Sequence, residues 1–517
     1  MRRQDIQLLA QARQGDVRAR CELGRRYLLG VEGFTRHVAA GIDHLRQAAA
    51  VDAVAAARVL AECLPLHELL AQGQEAALQP AAAAGSVPAQ LRLAAWLLVR
   101  RNGQAEARRW LGRAAGAPHA AAAAGAAALA ALDAAAPGLA LRDVLRALDA
   151  AAEVDGRAVA TQAIAQARAQ ADLPALADAL QAALGFPAGS QADLAPDLAA
   201  AVQLAESQGQ VLHGVDGQAL REALEICASQ GDRDAAHTLG RGLSGLATPG
   251  VASEVFEGHQ NMRKGAAFLL RAADAGCDAA WLLLYRLHAD HSLSVANPQM
   301  ARFFLEKAAA RGLAEAQRKL GALMLRESSG LASSEQAIAW LHAAAAQHDA
   351  HAHTLLQSLV LPVQGSDAEA AWGIAQVQQS DPWLAARLQL ARSFGLTKLE
   401  GLCVDVVDGH RPWGLVVGRN PFIQQVRLAA PRAIPATGGA AQQALQQAVL
   451  LYGQARGAAG EGDLRTRSLR QRRLFERLGL DEALYFADAS ATTLEALRLG
   501  SKWAWRARQP LSDALAA

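Results

Sequence analysis

Between residues 264 and 356 the apolar and polar positions of this chain repeat in steps of thirty-six. Phe268, Phe304 and Trp340 fall in register, each followed by a leucine (Leu269, Leu305, Leu341). Four positions on stand Ala272, Ala308 and Ala344, each followed by a second alanine. Eight on stand Gly276, Gly312 and His348, then Ala280, Ala316 and Ala352, then Leu284, Leu320 and Leu356. An aromatic–leucine pair with two alanines one turn later makes one apolar stripe along a helix. The glycine predicts a helix end in a conformation that side chains with a β-carbon disfavour. A second helix then carries alanine and leucine four apart. Two short helices cannot bury their faces alone, so the pattern predicts pairs stacked on neighbours as a solenoid. At repeat spacing the Phe268, Phe304 and Trp340 row belongs to the core and is not a ligand-binding ladder.

The unit reads Ala-x-x-x-Leu-Gly, a spacer, then Ala-x-x-Trp-Leu-x-x-Ala-Ala-x-x-Gly, and it resembles the Sel-one-like repeat family, relatives of the tetratricopeptide repeats. Residues 311–348 come close to that unit, with Leu320-Gly321 and Trp340-Leu341 in the expected places. The resemblance runs over about residues 5–390. It implies an α/α solenoid that works as an adaptor or scaffold.

The same phase opens near the N-terminus, with Leu8, Ala12, Gly15, Ala19 and Leu23-Gly24. It continues through His44-Leu45 and Ala48-Ala49, then Gly85, Ala89 and Leu93, then Trp110-Leu111. Residues 1–120 are therefore expected to hold N-terminal repeats. Over 121–215 the pattern fades into alanine-rich sequence broken by prolines; the distance from Pro118 to Gly231 fits three degenerate helical hairpins. Over 216–390 the repeats are well formed, with extra residues inserted at 244–261, where a solenoid insertion falls on one rim. From 391 the texture changes. Leu402, Val404 and Val406 alternate as in a strand, Leu415 to Val417 suggests another, Pro431 to Gly439 a loop, and 440–457, 467–479 and 491–508 helices. The expected fold class is mainly α: an α/α superhelical repeat solenoid followed by a small α+β C-terminal domain at 391–517.

Composition refines this picture without changing it. The chain has 517 residues, is 52% hydrophobic and only 4% aromatic, so its apolar content is largely alanine, which suits helices and shallow interfaces. Five lysines stand against forty-six arginines, a bias expected of a GC-rich bacterial genome. The net charge of +2 favours no partner class, although 391–517 alone carries +6. No apolar run suggests a signal sequence or a membrane span. Cys21, Cys63, Cys227, Cys277 and Cys403 are odd in number and lack a C-x-x-C pair, so a cytoplasmic location with reduced thiols is expected.

Candidate chemistry is sparse. His342, His348, His351 and His353 cluster, as do His288 and His291, but no cysteine or carboxylate completes a ligand set, so no metal is assigned. His410 can be drawn with Asp405 or Asp408 as a dyad, without a nucleophile. Gly457, Gly460 and Gly462 lack the lysine of a phosphate loop. No catalytic residue and no cofactor is assigned. The densest local feature is basic: Arg465, Arg467, Arg470, Arg472, Arg473 and Arg477, with Lys502, Trp503 and Trp505 beyond. Leu469, Phe475 and Leu478 give that helix an apolar side, as in an ordinary amphipathic helix.

The reading is a non-catalytic scaffold that binds a protein or peptide partner on its repeat superhelix. Partner-binding positions are expected at Gln317, Arg318 and Lys319, taken as solvent-facing on the second helix of a pair. A second reading makes the protein a regulator whose C-terminal domain binds nucleic acid through Arg470, Arg472, Arg473, Trp503 and Trp505. A third places an enzyme site near His410, Arg411 and Trp413.

Overall fold

The computed structural model of the protein describes all residues except 1–2, 102, 137, 187–190, 419–430, 455–460 and 500–504. It forms two compact units, Met1–Cys277 and Asp278–Ala517. In both, the described residues are dominated by short helices joined by tight turns.

The first unit starts with α1 (Arg3–Arg13), α2 (Val17–Leu29), α3 (Val38–Ala49), α4 (Ala53–Cys63), α5 (Leu66–Ala71), α6 (Leu78–Ala83), α7 (Val87–Val99) and α8 (Gln104–Ala115). The stretch where the repeat pattern fades is filled by α9 (Ala122–Ala134), α10 (Ala140–Ala150), α11 (Gly156–Ala169), α12 (Leu173–Ala183), α13 (Gln191–Ser207) and α14 (Gly217–Ser229). Two further helices, α15 (Arg233–Leu243) and α16 (Met262–Asp274), complete the unit.

One turn design recurs. Gly15, Gly85 and Gly231 adopt positive φ (+98°, +89° and +97°), ending one helix and aiming the next. An aspartate often follows and caps the new helix: Asp16 accepts from Arg18 N, Asp232 from Ala235 N. Within the faded stretch the same turn persists with another residue. Ala171 holds φ +52° between Gln170 and Asp172, and Asp172 caps α12 by accepting from Ala175 N.

The Leu-Gly step has a steric cause. A β-carbon on Gly24 would lie 2.5 Å from Leu45 Cγ, and one on Gly240 2.8 Å from Leu269 Cγ. The leucine after the aromatic position thus fills the space that a glycine on the facing helix leaves open. Leu45 and Leu269 are fully buried by it, and burying one leucine stabilises by about 1.5–3 kcal/mol. The insertion is tied down: Leu212 and Val251 form a parallel bridge, Leu212 N donates to Gly250 O at 3.0 Å, and Phe256 is buried against Gly242.

The second unit continues the repeat with α17 (Asp278–Ala289), α18 (Pro298–Ala310), α19 (Ala314–Glu327), α20 (Leu331–Ala346), α21 (Ala350–Leu359), α22 (Asp367–Ser380) and α23 (Pro382–Ser393). Gly312 and His348 take the left-handed turn at φ +86° and +66°. A β-carbon on Gly321 would stand 2.7 Å from Leu341 Cγ, as in the first unit.

Two short helices then follow, α24 (Lys398–Cys403) and α25 (Val406–Gly409), and three strands: β1 (His410–Arg411), β2 (Gly414–Val417) and β3 (Arg432–Pro435). The sheet order is β1-β2-β3, antiparallel throughout, with Leu415 opposite Ile434. The remaining helices are α26 (Gly439–Gln454), α27 (Leu464–Leu478), α28 (Ala491–Leu499) and α29 (Trp505–Ala516).

Here the structure departs from the sequence expectations. The alternation at Leu402, Val404 and Val406 is not a strand, because Thr397 and Glu400 form a capping box that starts α24 and Asp405 caps α25. The expected loop after Pro431 contains β3. Of the expected helix at 491–508, the described parts are α28 (Ala491–Leu499) and the start of α29 (Trp505–Ala516), and residues 500–504 lie outside the described residues.

Among the described residues, the α+β segment shares its core with the helices before it. Leu415, Ile434, Phe475 and Tyr485 join Val377, Leu384 and Leu388 of α22 and α23 in one cluster. Trp413, Val416, Leu494 and Leu511 join Leu325, Leu341 and Leu355 of α19 to α21 in another. The residues after 391 therefore cover the end of the helical array.

Candidate functional site

Helix α29 packs across α19 and α21. Its inner face presents Ala507, Leu511 and Ala514, spaced i, i+4 and i+7 on one side of a helix, and all three are buried. They meet Leu325, Leu355 and Leu356 in the shared cluster.

At the end of α29 two cations of α19 take the terminal carbonyls. Arg318 Nη1 donates to Ala514 O at 2.6 Å, and Lys319 Nζ donates to Leu515 O at 3.1 Å. The last carbonyls of a helix have no partner within it and carry its negative dipole end, so cations suit them. Each cation also keeps a carboxylate. Arg318 Nε donates to Asp349 Oδ2 at 2.9 Å, while the other oxygen of Asp349 caps α21 by accepting from Ala352 N. Lys319 lies 3.8 Å from Glu315. Burial pushes the Lys319 ammonium below its ordinary value, with Glu315 opposing.

These positions are thus not solvent-facing, as the sequence suggested. Arg318 is 4% exposed, Gln317 7% and Lys319 8%. α29 covers the two cations, and Gln317 has a different task. Its Nε2 donates to Ala309 O, eight residues back, and its Oε1 accepts from Gln347. Gln90 and Arg20, at the same repeat position, reach back in the same way to Ala82 O and Ala12 O. Gln317 therefore binds one repeat to the next.

The basic helix α27 has two sides. Arg467 lies 3.5 Å from Glu461, and Arg470 lies 3.5 Å from Asp381. Glu461 is also clasped by buried Arg387 at 2.6 and 2.8 Å, and it accepts from Tyr452 Oη at 3.0 Å. Burial alone would raise the Glu461 carboxyl; Arg387, Arg467 and Tyr452 overcome it and hold the group below the usual carboxylate range. Arg472 and Arg473 face solvent, Arg472 4.0 Å from Glu476. Trp503 lies outside the described residues, as do Gly457 and Gly460, and Trp505 opens α29. Arg470 is thus part-exposed and paired with Asp381, while Arg472 and Arg473 are open to solvent.

The remaining candidates are committed locally. Asp405 caps α25, Arg411 pairs with Glu335 at 3.0 Å, and Trp413 is buried in the core. His288 stacks on Phe304 and its Nδ1 lies 2.9 Å from Val295 O; His348 forms the repeat turn. Among the described residues no three His, Cys, Asp or Glu side chains gather around a metal-sized space. No helix of the described residues is long and apolar enough to cross a membrane.

The first unit offers an open groove of about 890 Å³, walled by Leu176, Pro196, Gln203, Leu204, Gln230 and Asp232. A second cleft, about 510 Å³, lies along the insertion, between Leu246, Thr248, Val251 and Gln260. The sequence marked the insertion but gave no sign of the larger groove, because most of its walls come from the faded repeats, with Gln230 and Asp232 on the other side.

No family model matches the chain, and no curated protein matches it. Among solved structures it is similar to c5321, a protective antigen present in uropathogenic Escherichia coli strains and displaying an SLR fold. That similarity has 20% identity, covers 94% of this chain and 98% of that one, and has a TM-score of 0.26. It is also similar to a Sel1 repeat protein from Oxalobacter formigenes, at 20% identity over 69% of this chain and 91% of that one, with a TM-score of 0.24. The repeats show in the chain's own geometry: the left-handed turn, the Leu-Gly close approach and the buried Phe268-Leu269 and Phe304-Leu305 pairs, with Trp340 part-buried beside buried Leu341. By that register and those helix pairs, the chain is built from stacked α/α helical repeats.

Proposed function

We propose that the protein is a non-catalytic scaffold that binds a segment of a protein partner on its repeat faces. The observation that carries this is the α19/α21 face, which already holds a helix by three apolar side chains and two carbonyl-binding cations. That mode asks a ligand for helical shape and a free C-terminal turn, so it suits many peptide sequences. The open groove of the first unit supplies a second apolar and amide-lined surface of peptide size. Repeat proteins of this kind generally mediate protein–protein interactions.

The test is crosslinking in the native cell followed by mapping of the crosslinked residues. Truncation at 390 is unsuitable, since it would strip the two C-terminal clusters of 17 of 23 and 8 of 19 buried side chains. Partner crosslinks on the first-unit groove or on α19 and α21 are expected. Crosslinks confined to Arg472 and Arg473, or co-purifying nucleic acid released by salt and lost in Arg472→Glu/Arg473→Glu, would replace this reading with the nucleic-acid one.

A further inference from the structure

We infer that α29 is a displaceable occupant of the α19/α21 face, and that the partner this face fits is an amphipathic helix with the same small–leucine–small stripe ending at Arg318 and Lys319. The inference rests on the scaffold reading and adds who competes for the site.

Four observations support it. First, α29 is held by modest apolar surface: among its described side chains Ala507, Leu511 and Ala514 are buried and Leu515 packs part-buried beside them. Second, Pro510 lies inside α29, removing a backbone donor and lowering the helix's own stability. Third, the face does not need α29 for charge balance. When α29 leaves, Arg318 retains Asp349 and Lys319 retains Glu315, so no buried cation is left unpaired. Fourth, β3 packs on α20 and α21, and α28 packs on α20 and β3, so the sheet and α28 keep contacts of their own when α29 leaves α19 and α21. The recognition is largely through backbone carbonyls, which any helix C-terminus provides. The stripe at i, i+4 and i+7 supplies the selectivity, since larger residues at the two alanine positions would not fit between α19 and α21.

The experiment uses the full chain and a fluorescein-labelled peptide of residues 505–516. Leu511→Asp in the chain should release α29 and leave the receptor face intact. The peptide is expected to bind this variant at least tenfold more tightly than the wild-type chain, by anisotropy, and the same peptide carrying Leu511→Asp should bind neither. In wild-type protein, excess peptide should speed amide exchange in α29 while α19 and α21 stay protected. A folded Leu511→Asp chain that gains no peptide affinity overturns the inference. So does α29 exchange as slow as that of α20 and α21 and unmoved by peptide, a readout that holds even if the variant fails to fold. If peptide exchanges but native partner crosslinks fall off the repeats, the scaffold reading fails alone. If crosslinks stay on the repeats and α29 does not exchange, the latch fails alone.

Discussion

The same substitution, glycine to alanine inside a helix, is expected to have opposite signs at Gly321 and Gly112. Alanine is a better helix former than glycine by about 1 kcal/mol. At Gly112, exposed in α8, a new β-carbon meets nothing within 4 Å, so Gly112→Ala should stabilise by up to that amount. At Gly321 the β-carbon would stand 2.7 Å from Leu341 Cγ, 2.8 Å from Ala337 O and 3.1 Å from Leu341 N. The leucine branch can turn, but the two backbone atoms belong to α20 and move only if the helices separate. Overpacking of this kind costs about 1–3 kcal/mol, and separation also loosens Leu341, which is fully buried. The net for Gly321→Ala is a loss of up to about 2 kcal/mol. A repeat array need not unfold as one step, so the readout is native-state amide exchange. Gly321→Ala should speed exchange in α19 and α20, and Gly112→Ala should slow it in α8. Slower exchange around α19 in the Gly321 variant would refute the close-approach account of the Leu-Gly step.

His348→Gly and Ala171→Gly should each stabilise by about 0.5–1 kcal/mol, because both residues sit in the left-handed region without being glycine. A thermal midpoint unchanged or lowered in both would show that the turns carry no strain. Arg432→Met should cost about 3–5 kcal/mol, since it strands Glu400, which is 2% exposed and bound by Arg432 at 2.9 and 3.0 Å. Its pH dependence has a defined sign. Burial alone would raise the Glu400 carboxyl, but Arg432 and Thr397 overcome it and hold the group below the usual carboxylate range. The wild-type contribution is therefore full above the unfolded glutamate pKa of about 4.3 and is lost as pH falls through the lower folded value. Without Arg432 burial prevails and Glu400 takes a proton more readily, so the deficit of the variant should shrink between pH 7 and pH 4. Urea midpoints across that range check it, and a deficit that stays constant would contradict it.

The repeats were legible because they write their packing at fixed spacing: an aromatic and leucine to bury, two alanines for close approach, a glycine for positive φ. The faded stretch was less legible because the turn survived its glycine. Gln170-Ala171-Asp172 keeps the form of Gln14-Gly15-Asp16 and Gln230-Gly231-Asp232, and the capping aspartate, not the glycine, was the better mark. After 391 the alternation of Leu402, Val404 and Val406 misled, because the Thr397–Glu400 capping box decided the local conformation first. Strand β3 was hidden by an arginine that looks exposed and is 1% so, its charge met by a carboxylate thirty-two residues earlier. The fate of Arg318 and Lys319 was not legible at all. A cation on the outer side of a repeat helix reads as solvated until a helix 196 residues on is brought against it.

That last contact separates two tasks within one C-terminal segment. A repeat array ends with an apolar face that nothing further stacks upon, and here α26, α27 and β2 and β3 cover it, sealed by the Arg387–Glu461–Tyr452 network. The sealing uses Arg467 and Arg470 as counter-charges for Glu461 and Asp381, so the basic helix spends much of its charge inward. Closing the array is a structural need that any exchange with solvent would damage. Covering α19 and α21 is a different matter: those helices have neighbours in the array, their cations have carboxylates, and among its described side chains α29 adds two buried alanines, one buried leucine and the part-buried Leu515. A partner that takes the face has to displace α29 and nothing else, which leaves the cap, and with it the fold of the second unit, in place.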